Sequence, residues 1–179
     1  MSDHVDSFLN QFIGEPKTTV QRDLALNFKK VMEESVLDEQ ERFLNLLAIA
    51  TSLHTPALME FASFRLSELG LNEEQILEAR ENAAIMGMLN TYYKFKSFLP
   101  PEVLENYSRA GLRMNSLSKP VNGKERFEMM AFAVSVVNGC PTCVSSHERA
   151  LTQLGVSADK IHELARMAAI CKGLVTLKH

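Results

Sequence analysis

One pattern of helix-ending and helix-starting residues occurs twice in the chain, and this repeat constrains the fold most strongly. The segment LSELGLNEEQILEARENAAIMG contains Gly70, and LTQLGVSADKIHELARMAAICKG contains Gly155 at the matching position, so the offset is 155 − 70 = 85 residues. Without a gap, the same offset places the AAI of residues 83–85 on the AAI of residues 168–170. Self-similarity at a fixed offset indicates one supersecondary unit that is used twice.

We interpret the repeat as two related helical halves within a single domain that spans residues 1–179. The first half, residues 38–98, is degenerate, and the second half, residues 124–179, carries the cysteine motif described below. The segment between them is rich in proline and glycine, which predicts a connector with short helical turns at most. A chain of 179 residues is long enough to form one domain with a sizeable core.

Residues typical of helix starts recur along the chain, whereas strand patterns are scarce. Thr18, Asp38 and Asn72 each precede a segment with helical apolar spacing, and Thr55 followed by Pro56 begins another. Thr, Asp and Asn are preferred N-cap residues, and proline is favoured in the first helical turn. The pattern therefore predicts an all-α fold.

Composition and charge indicate which binding partners and which cellular compartment to expect. The net charge of −3 and the pI near 6.0 argue against nucleic acid and anionic membranes as partners. The N-terminal segment does not resemble a secretory signal, and no apolar stretch has the roughly 18 residues of a membrane span. Three cysteines, an odd number, do not suggest a disulfide framework, so we expect a reducing, cytoplasmic location.

The sequence NGCPTCVSSHERAL at residues 138–151 contains a C-x-x-C pair followed by a histidine. With Pro141 in the first helical turn, Cys140 lies at the N-cap, and Cys140, Cys143 and His147 share one helix face. The unpaired N–H groups and the dipole of a helix N-terminus favour thiolate over thiol. Proximity to the helix start favours Cys140 as the reactive sulfur, whereas the spacing from His147 favours Cys143.

The preceding segment, KERFEMMAFAVSVVNG, predicts an apolar helix that carries an unusual carboxylate, Glu128. Glu128, Ala131 and Ser135 lie on one face, and these small neighbours allow close approach of the cysteine helix. Glu128 can then reach His147 or a thiol; the alternative is an exposed acid favoured by the helix dipole. In the first half, the positions equivalent to Cys140, Cys143, His147 and Glu128 hold other residue types, so the shared fold does not require them.

Other interpretations of the cysteines stay open at this point. Three zinc ligands are available in C-x2-C-x3-H, with Glu128 or Cys171 as a fourth, but no second zinc knuckle is visible and we expect no bound metal. The pair can also be structural, whereas a thioredoxin-like domain requires a βαβ pattern that is missing. We interpret Cys171 and His162 as residues of an apolar face or of its edge.

The segment FEMMAFAVSVVNGCPTCVSSHERAL, with AAIMGMLN and GLRMN upstream, resembles the AhpD family of alkyl hydroperoxide reductase proteins. These belong to the carboxymuconolactone decarboxylase-like superfamily, and the likeness extends from about residue 36 to the end. The resemblance implies an all-α fold of two related halves, assembled as trimers or larger oligomers such as hexamers. It also implies that Cys143 is the sulfur oxidised to sulfenic acid, that Cys140 is the proton donor and resolving thiol, and that His147 and Glu128 form a proton relay.

The resemblance further implies a thiol-dependent peroxidase and disulfide reductase in antioxidant defence. Its substrates would be hydroperoxides, with a peroxiredoxin and a lipoyl-bearing protein as partners; the reductant is an external dithiol and no cofactor is bound. Some family members have a histidine directly before the second cysteine, where this chain has Thr142, which implies weaker or differently tuned peroxidase activity.

Three rival functions remain at the level of the sequence. The first is a protein dithiol reductase or sensor whose peroxide turnover is incidental. The second is a zinc-stabilised interaction module, and the third is a lactone decarboxylase, which would not need paired cysteines.

Overall fold

The computed structural model describes residues 2–178, and throughout this range the regular structure is helical, which confirms the all-α prediction. The α-helices are α1 (Ser2–Phe12), α2 (Thr19–Glu33), α3 (Glu39–Ser52), α4 (Pro56–Glu68), α5 (Glu73–Ser97), α6 (Lys124–Asn138), α7 (Pro141–Gln153) and α8 (Ala158–Thr176). Two short 3₁₀ segments, Pro101–Tyr107 and Asn115–Ser118, lie in the connector between α5 and α6, as its composition predicts. No helix in the described range is long and apolar enough to cross a membrane.

Helices α3 and α6 form the centre of the core. Residues 41–50 of α3 and 127–135 of α6 are buried on every side, as expected of helices that are apolar around most of their circumference. Helix α3 packs against α4, α5 and α6, whereas α6 packs against α3, α5, α7 and α8. This arrangement places α6, which carries Glu128, directly beneath the cysteine helix α7.

Helix starts agree with the capping residues that the sequence indicates. Thr18, Asp38 and Asn72 each accept a hydrogen bond from the third helical residue and complete a capping box. Thr55 occupies an N-cap position without capping by its side chain, because its hydroxyl donates to the carbonyl of Leu53 instead. Helix α1 was not predicted from the sequence, and its apolar face packs on α2.

The starts of α3, α4 and α5, at residues 39, 56 and 73, lie 85 residues before those of α6, α7 and α8, at 124, 141 and 158. Division of the single domain into two related halves stays a prediction. The turns before α4 and α7 nevertheless share one geometry, in which a residue with positive φ ends the first helix and precedes the N-cap of the next. That residue is His54 (φ 52°) in the first case and Gly139 (φ 63°) in the second.

Replacing Gly139 by alanine is expected to destabilise the protein by about 1 kcal/mol, because an L side chain at positive φ is strained. The added Cβ would meet nothing closer than the flexible Lys94 Nζ at 3.7 Å, so strain and not a clash is the cause. The melting temperature should fall by about 2–4 °C. Gly87→Ala is the matched control, since Gly87 lies inside α5 where a Cβ would have no neighbouring atom within 4 Å, and it should stabilise slightly. Equal shifts for both variants would contradict this account.

Candidate active site

The two cysteines lie at the N-terminus of α7 and form a disulfide. Pro141 is in the first turn and Cys140 is the N-cap, with its sulfur accepting the Cys143 N–H at 3.3 Å. The Cα atoms of Cys140 and Cys143 are 5.3 Å apart, a normal separation for a disulfide. The pair can therefore join without displacing the backbone, as a dithiol that cycles between reduced and oxidised forms requires.

Glu128 and His147 are in direct contact. The Oε2 atom of Glu128 lies 2.6 Å from Nδ1 of His147, and its Oε1 atom lies 2.6 Å from Nζ of Lys124. Burial works against the charged form of Glu128, but the hydrogen bonds with His147 and Lys124 outweigh it and hold the pKa of this carboxyl below its usual value. Glu128 is buried, so the alternative of an exposed acid does not describe it.

The ionised state of Glu128 determines which nitrogen of His147 is protonated. A carboxylate can only accept hydrogen bonds. Nδ1 of His147 therefore carries a proton and donates the hydrogen bond to Glu128. In the neutral imidazole, Nε2 is then the basic nitrogen. The His147 side chain is 18% exposed and lines the same pocket as Cys143, which makes it available for proton exchange there.

A pocket of about 330 Å³ is lined by one of the two cysteines. Cys143 is 6% exposed and lines the pocket, whereas Cys140 is completely buried and does not. The lining comes from α5, the connector and α7: Leu89, Asn90, Tyr93, Met114, Leu117, Thr142, Cys143, Ser146 and His147. A reagent that enters the pocket meets Cys143 first.

The connector wall of this pocket is anchored by Glu78. Its two carboxylate oxygens accept the backbone N–H groups of Val121 and Asn122 at 2.6 and 2.7 Å, and the Asn122 amide donates to it as well. These bonds attach the end of the connector to α5, which positions the segment carrying Met114 and Leu117. The sequence did not indicate this role, because Glu78 resembles any other acid of an exposed helix face.

A buried polar network joins the cysteine turn to α5 and α3. The Asn90 amide donates to Ser135 Oγ at 2.9 Å and accepts from the Asn138 amide at 2.9 Å, while Ser52 donates to Asn138 at 3.0 Å. The Ser135 carbonyl accepts the N–H of Cys140 at 3.2 Å, so the network ends at the first cysteine. The sequence indicated Ser135 only as a small residue on the Glu128 face and did not indicate the network; a polar Asn90 within a mostly apolar helix segment was the available signal.

The remaining titratable residues of interest lie elsewhere. Cys171 is buried in the core, and burial raises the pKa of its thiol to about 12, so it stays protonated. His162 is exposed on α8. Among residues 2–178, no group of three or more Cys, His, Asp and Glu side chains is arranged to hold a metal ion, which gives the zinc interpretation no support.

Comparison with known proteins identifies the family. Residues 101–179 match the carboxymuconolactone decarboxylase family. The alkyl hydroperoxide reductase AhpD of Nocardia farcinica is 37% identical over 153 residues, covering 86% of this chain and 84% of the relative. The chain belongs to the alkyl hydroperoxide reductase AhpD family. The AhpD proteins of Mycobacterium tuberculosis (35% identity, 86% and 85% coverage) and Anaeromyxobacter dehalogenans (36% identity, 83% and 79% coverage) are similarly related.

Membership of the AhpD family agrees with the resemblance inferred from the cysteine motif and its upstream segments. The structure also gives those upstream segments a physical role, because Asn90 ends AAIMGMLN and Met114 belongs to GLRMN, and both line the Cys143 pocket. Thr142, which directly precedes Cys143, is exposed and lines the pocket. The imidazole in this pocket therefore comes from His147.

Proposed function

We propose that this protein is a thiol-dependent peroxidase and disulfide reductase in which Cys143 attacks the peroxide and Cys140 resolves the product. The observation that carries the proposal is the shared pocket of Cys143 and His147, with His147 hydrogen-bonded to the buried Glu128. Cys143 would thus be the nucleophile, His147 the base beside it, and Glu128 the carboxylate that orients the base, which is the arrangement that activates a nucleophile. Membership of the AhpD family supports the same class of reaction.

The reaction begins with the reduced pair. The Cys143 thiolate attacks one oxygen of ROOH, the O–O bond breaks, and the departing alkoxide takes a proton to leave as ROH, which leaves Cys143 as sulfenic acid. The Cys140 thiol then attacks the Cys143 sulfur and releases water, which forms the disulfide. An external dithiol reopens the disulfide by exchange and is itself oxidised to a disulfide. Two electrons thus pass from the external dithiol to each peroxide molecule.

Two features support Cys143 and not Cys140 as the nucleophile. Cys143 is the cysteine that lines the pocket, and His147 in the same lining offers a basic Nε2 atom that can take up the thiol proton. The free N–H groups and dipole at the start of α7 stabilise the resulting thiolate. Cys140 is completely buried beside it, which suits a resolving thiol that reacts with its neighbour alone.

The pocket walls favour an organic hydroperoxide. Leu89, Tyr93, Met114 and Leu117 supply apolar surface, and burial of an alkyl group against it contributes about 25 cal/mol for each Å² removed from water. We further propose a lipoyl-bearing protein as reductant and a peroxiredoxin as protein substrate, with a cytoplasmic, homo-oligomeric enzyme in antioxidant defence. The apolar lining supports this choice, because the acyl chain of a lipoyl group would bury its apolar surface there.

A protein dithiol reductase or sensor with incidental peroxidase activity is the second candidate. The presence of Thr142, a hydroxyl residue, beside Cys143 favours it, because the pocket then holds a single imidazole for both proton removal and proton delivery. Disulfide exchange needs only the first of these two steps. The two candidates share the cysteine pair and differ in which oxidant reacts faster.

Titration of thiols tests the proposal directly. One equivalent of cumene hydroperoxide added to fully reduced protein should remove two of the three thiols, with mass spectrometry locating the bridge at Cys140 and Cys143. Dihydrolipoamide should restore both thiols. Retention of all three thiols while an oxidised peroxiredoxin still oxidises the pair would instead support the dithiol reductase, and retention with both oxidants would reject the redox function.

A further inference from the structure

A second and larger pocket, of about 790 Å³, lies on the other side of Asn90, between the end of α3, the start of α4 and the second half of α5. None of the four residues assigned to the peroxide reaction lines it. Its lining is Thr51, Ser52, His54, Met59, Ala83, Ala84, Gly87, Asn90, Thr91, Lys94, Phe95, Phe98 and Asn138.

The polar side of this pocket carries positive charge without a compensating acid. Lys94 is half-buried, and no aspartate or glutamate is present in the lining, although the protein as a whole has a net charge of −3. Among the described residues, Lys94 forms no ion pair; its ammonium donates to the Asn138 carbonyl at 3.2 Å and has further protons to donate. A cation held in a pocket of hydroxyls and amides is suited to a ligand with one negative charge.

His54 occupies this pocket in a strained conformation. Its φ of 52° is in the left-handed region, where Gly139 (φ 63°) stands at the corresponding turn before α7. Both turns are closed alike: the N–H of His54 bonds to the Thr51 carbonyl and that of Gly139 to the Val136 carbonyl, each at 3.1 Å. The turn therefore needs a left-handed residue, for which glycine is the unstrained choice, and backbone strain of this kind concentrates at ligand sites.

Much of the remaining lining is apolar, and two aromatic residues in it, Phe95 and Phe98, follow Lys94 within one helical turn. Phe98 is 75% exposed and Phe95 is 40% exposed, and Met59, Ala83 and Ala84 add further apolar lining. Large aromatic side chains left exposed at a pocket mouth indicate a binding surface. The pocket thus combines one cation and neutral hydrogen-bonding groups with two exposed aromatic rings.

We propose that this pocket binds an amphipathic monocarboxylate, an aliphatic chain that ends in a single carboxylate. The carboxylate pairs with Lys94 and accepts the ring N–H of His54, while the chain lies along Phe95 and Phe98. One ammonium surrounded by neutral donors matches a head group with a single charge better than a phosphate monoester with nearly two. The site is separate from the Cys143 pocket and does not depend on the cysteine chemistry.

Calorimetric titration of the full-length protein with sodium octanoate tests the site. Wild type should bind octanoate saturably, and Lys94→Met, which keeps the aliphatic stem, should weaken binding by about tenfold or more, the usual effect of losing a charged hydrogen bond. Lys94→Arg should restore binding to within about threefold because it keeps the charge. Acetate and 1-octanol, which lack the chain and the charge respectively, should bind at least tenfold more weakly than octanoate.

Two further variants complete the test. His54→Gly should weaken octanoate binding while melting no lower than wild type, because glycine adopts positive φ without strain. Lys96→Met, which removes a lysine outside the pocket from the same helix, should leave binding unchanged. The proposal is overturned by absence of octanoate binding, by equal binding in Lys94→Met, which would place octanoate elsewhere, or by acetate or octanol binding as tightly as octanoate.

Discussion

Replacing Cys143 by serine is expected to lower kcat/KM for an alkyl hydroperoxide by at least about 10³-fold, since loss of a catalytic nucleophile commonly costs that much or more. A serine hydroxyl in the Cys143 pocket is not ionised near neutral pH and cannot replace a thiolate as nucleophile. Turnover is measured by peroxide loss with dihydrolipoamide as electron donor.

Two cysteine variants serve as controls for this prediction. Cys171→Ser should keep wild-type turnover, because Cys171 is buried in the core and its raised pKa keeps it protonated. Cys140→Ser should still consume one peroxide per protein chain and then accumulate sulfenic acid at Cys143, which dimedone labels. Wild-type turnover by Cys143→Ser, or equal losses in Cys143→Ser and Cys171→Ser, would refute the assignment of the nucleophile.

Replacing Glu128 by glutamine is expected to lower kcat/KM by about 10²-fold, within the usual range for general acid–base catalysis. Glutamine preserves the size of the side chain but not the charge that holds the Nδ1 proton of His147, so the basic Nε2 tautomer is no longer enforced. His147→Gln should cause a loss of similar size, and the double variant should lose little more, because both residues act through one proton transfer.

The matched control is Glu125→Gln, which removes an exposed carboxylate from the same helix and should leave activity unchanged. Losses that multiply in the double variant would show that Glu128 and His147 act independently, against a shared relay.

The stabilisation that the charge of Glu128 gives the folded protein depends on pH. Because the pKa of Glu128 in the folded protein lies below its ordinary value near 4.5, its charge stabilises the fold fully above that pH, and this contribution is lost as the pH falls through the folded-state value. The melting temperature of wild type should exceed that of Glu128→Gln at pH 7, and the difference should shrink below about pH 4. A constant difference from pH 7 to pH 3 would contradict the depressed pKa.

The sequence predicted the helix starts and the cysteine helix well because those features are local. Asp38 and Asn72 cap helices through bonds to residues three positions later, and Pro141 fixes the first turn of α7 by its own ring. It did not indicate α1, whose apolar face packs on residues distant in the sequence, such as Phe28 and Phe61. Contacts between distant segments, such as Glu78 with the connector, have no local signal and were missed.

By itself, the sequence determined that the chain is helical and that Cys140, Cys143 and His147 share one face, since helix periodicity and capping depend on neighbours within four residues. Tertiary structure decided which cysteine lines the pocket, because α5 and the connector supply the other walls around Cys143, and Cys140 is completely buried outside this lining. It also decided that Glu128 is buried against His147, since a distance of 2.6 Å between two helices is set by how α6 and α7 pack. Burial and close contact are properties of packed surfaces, which residue spacing along one chain does not specify.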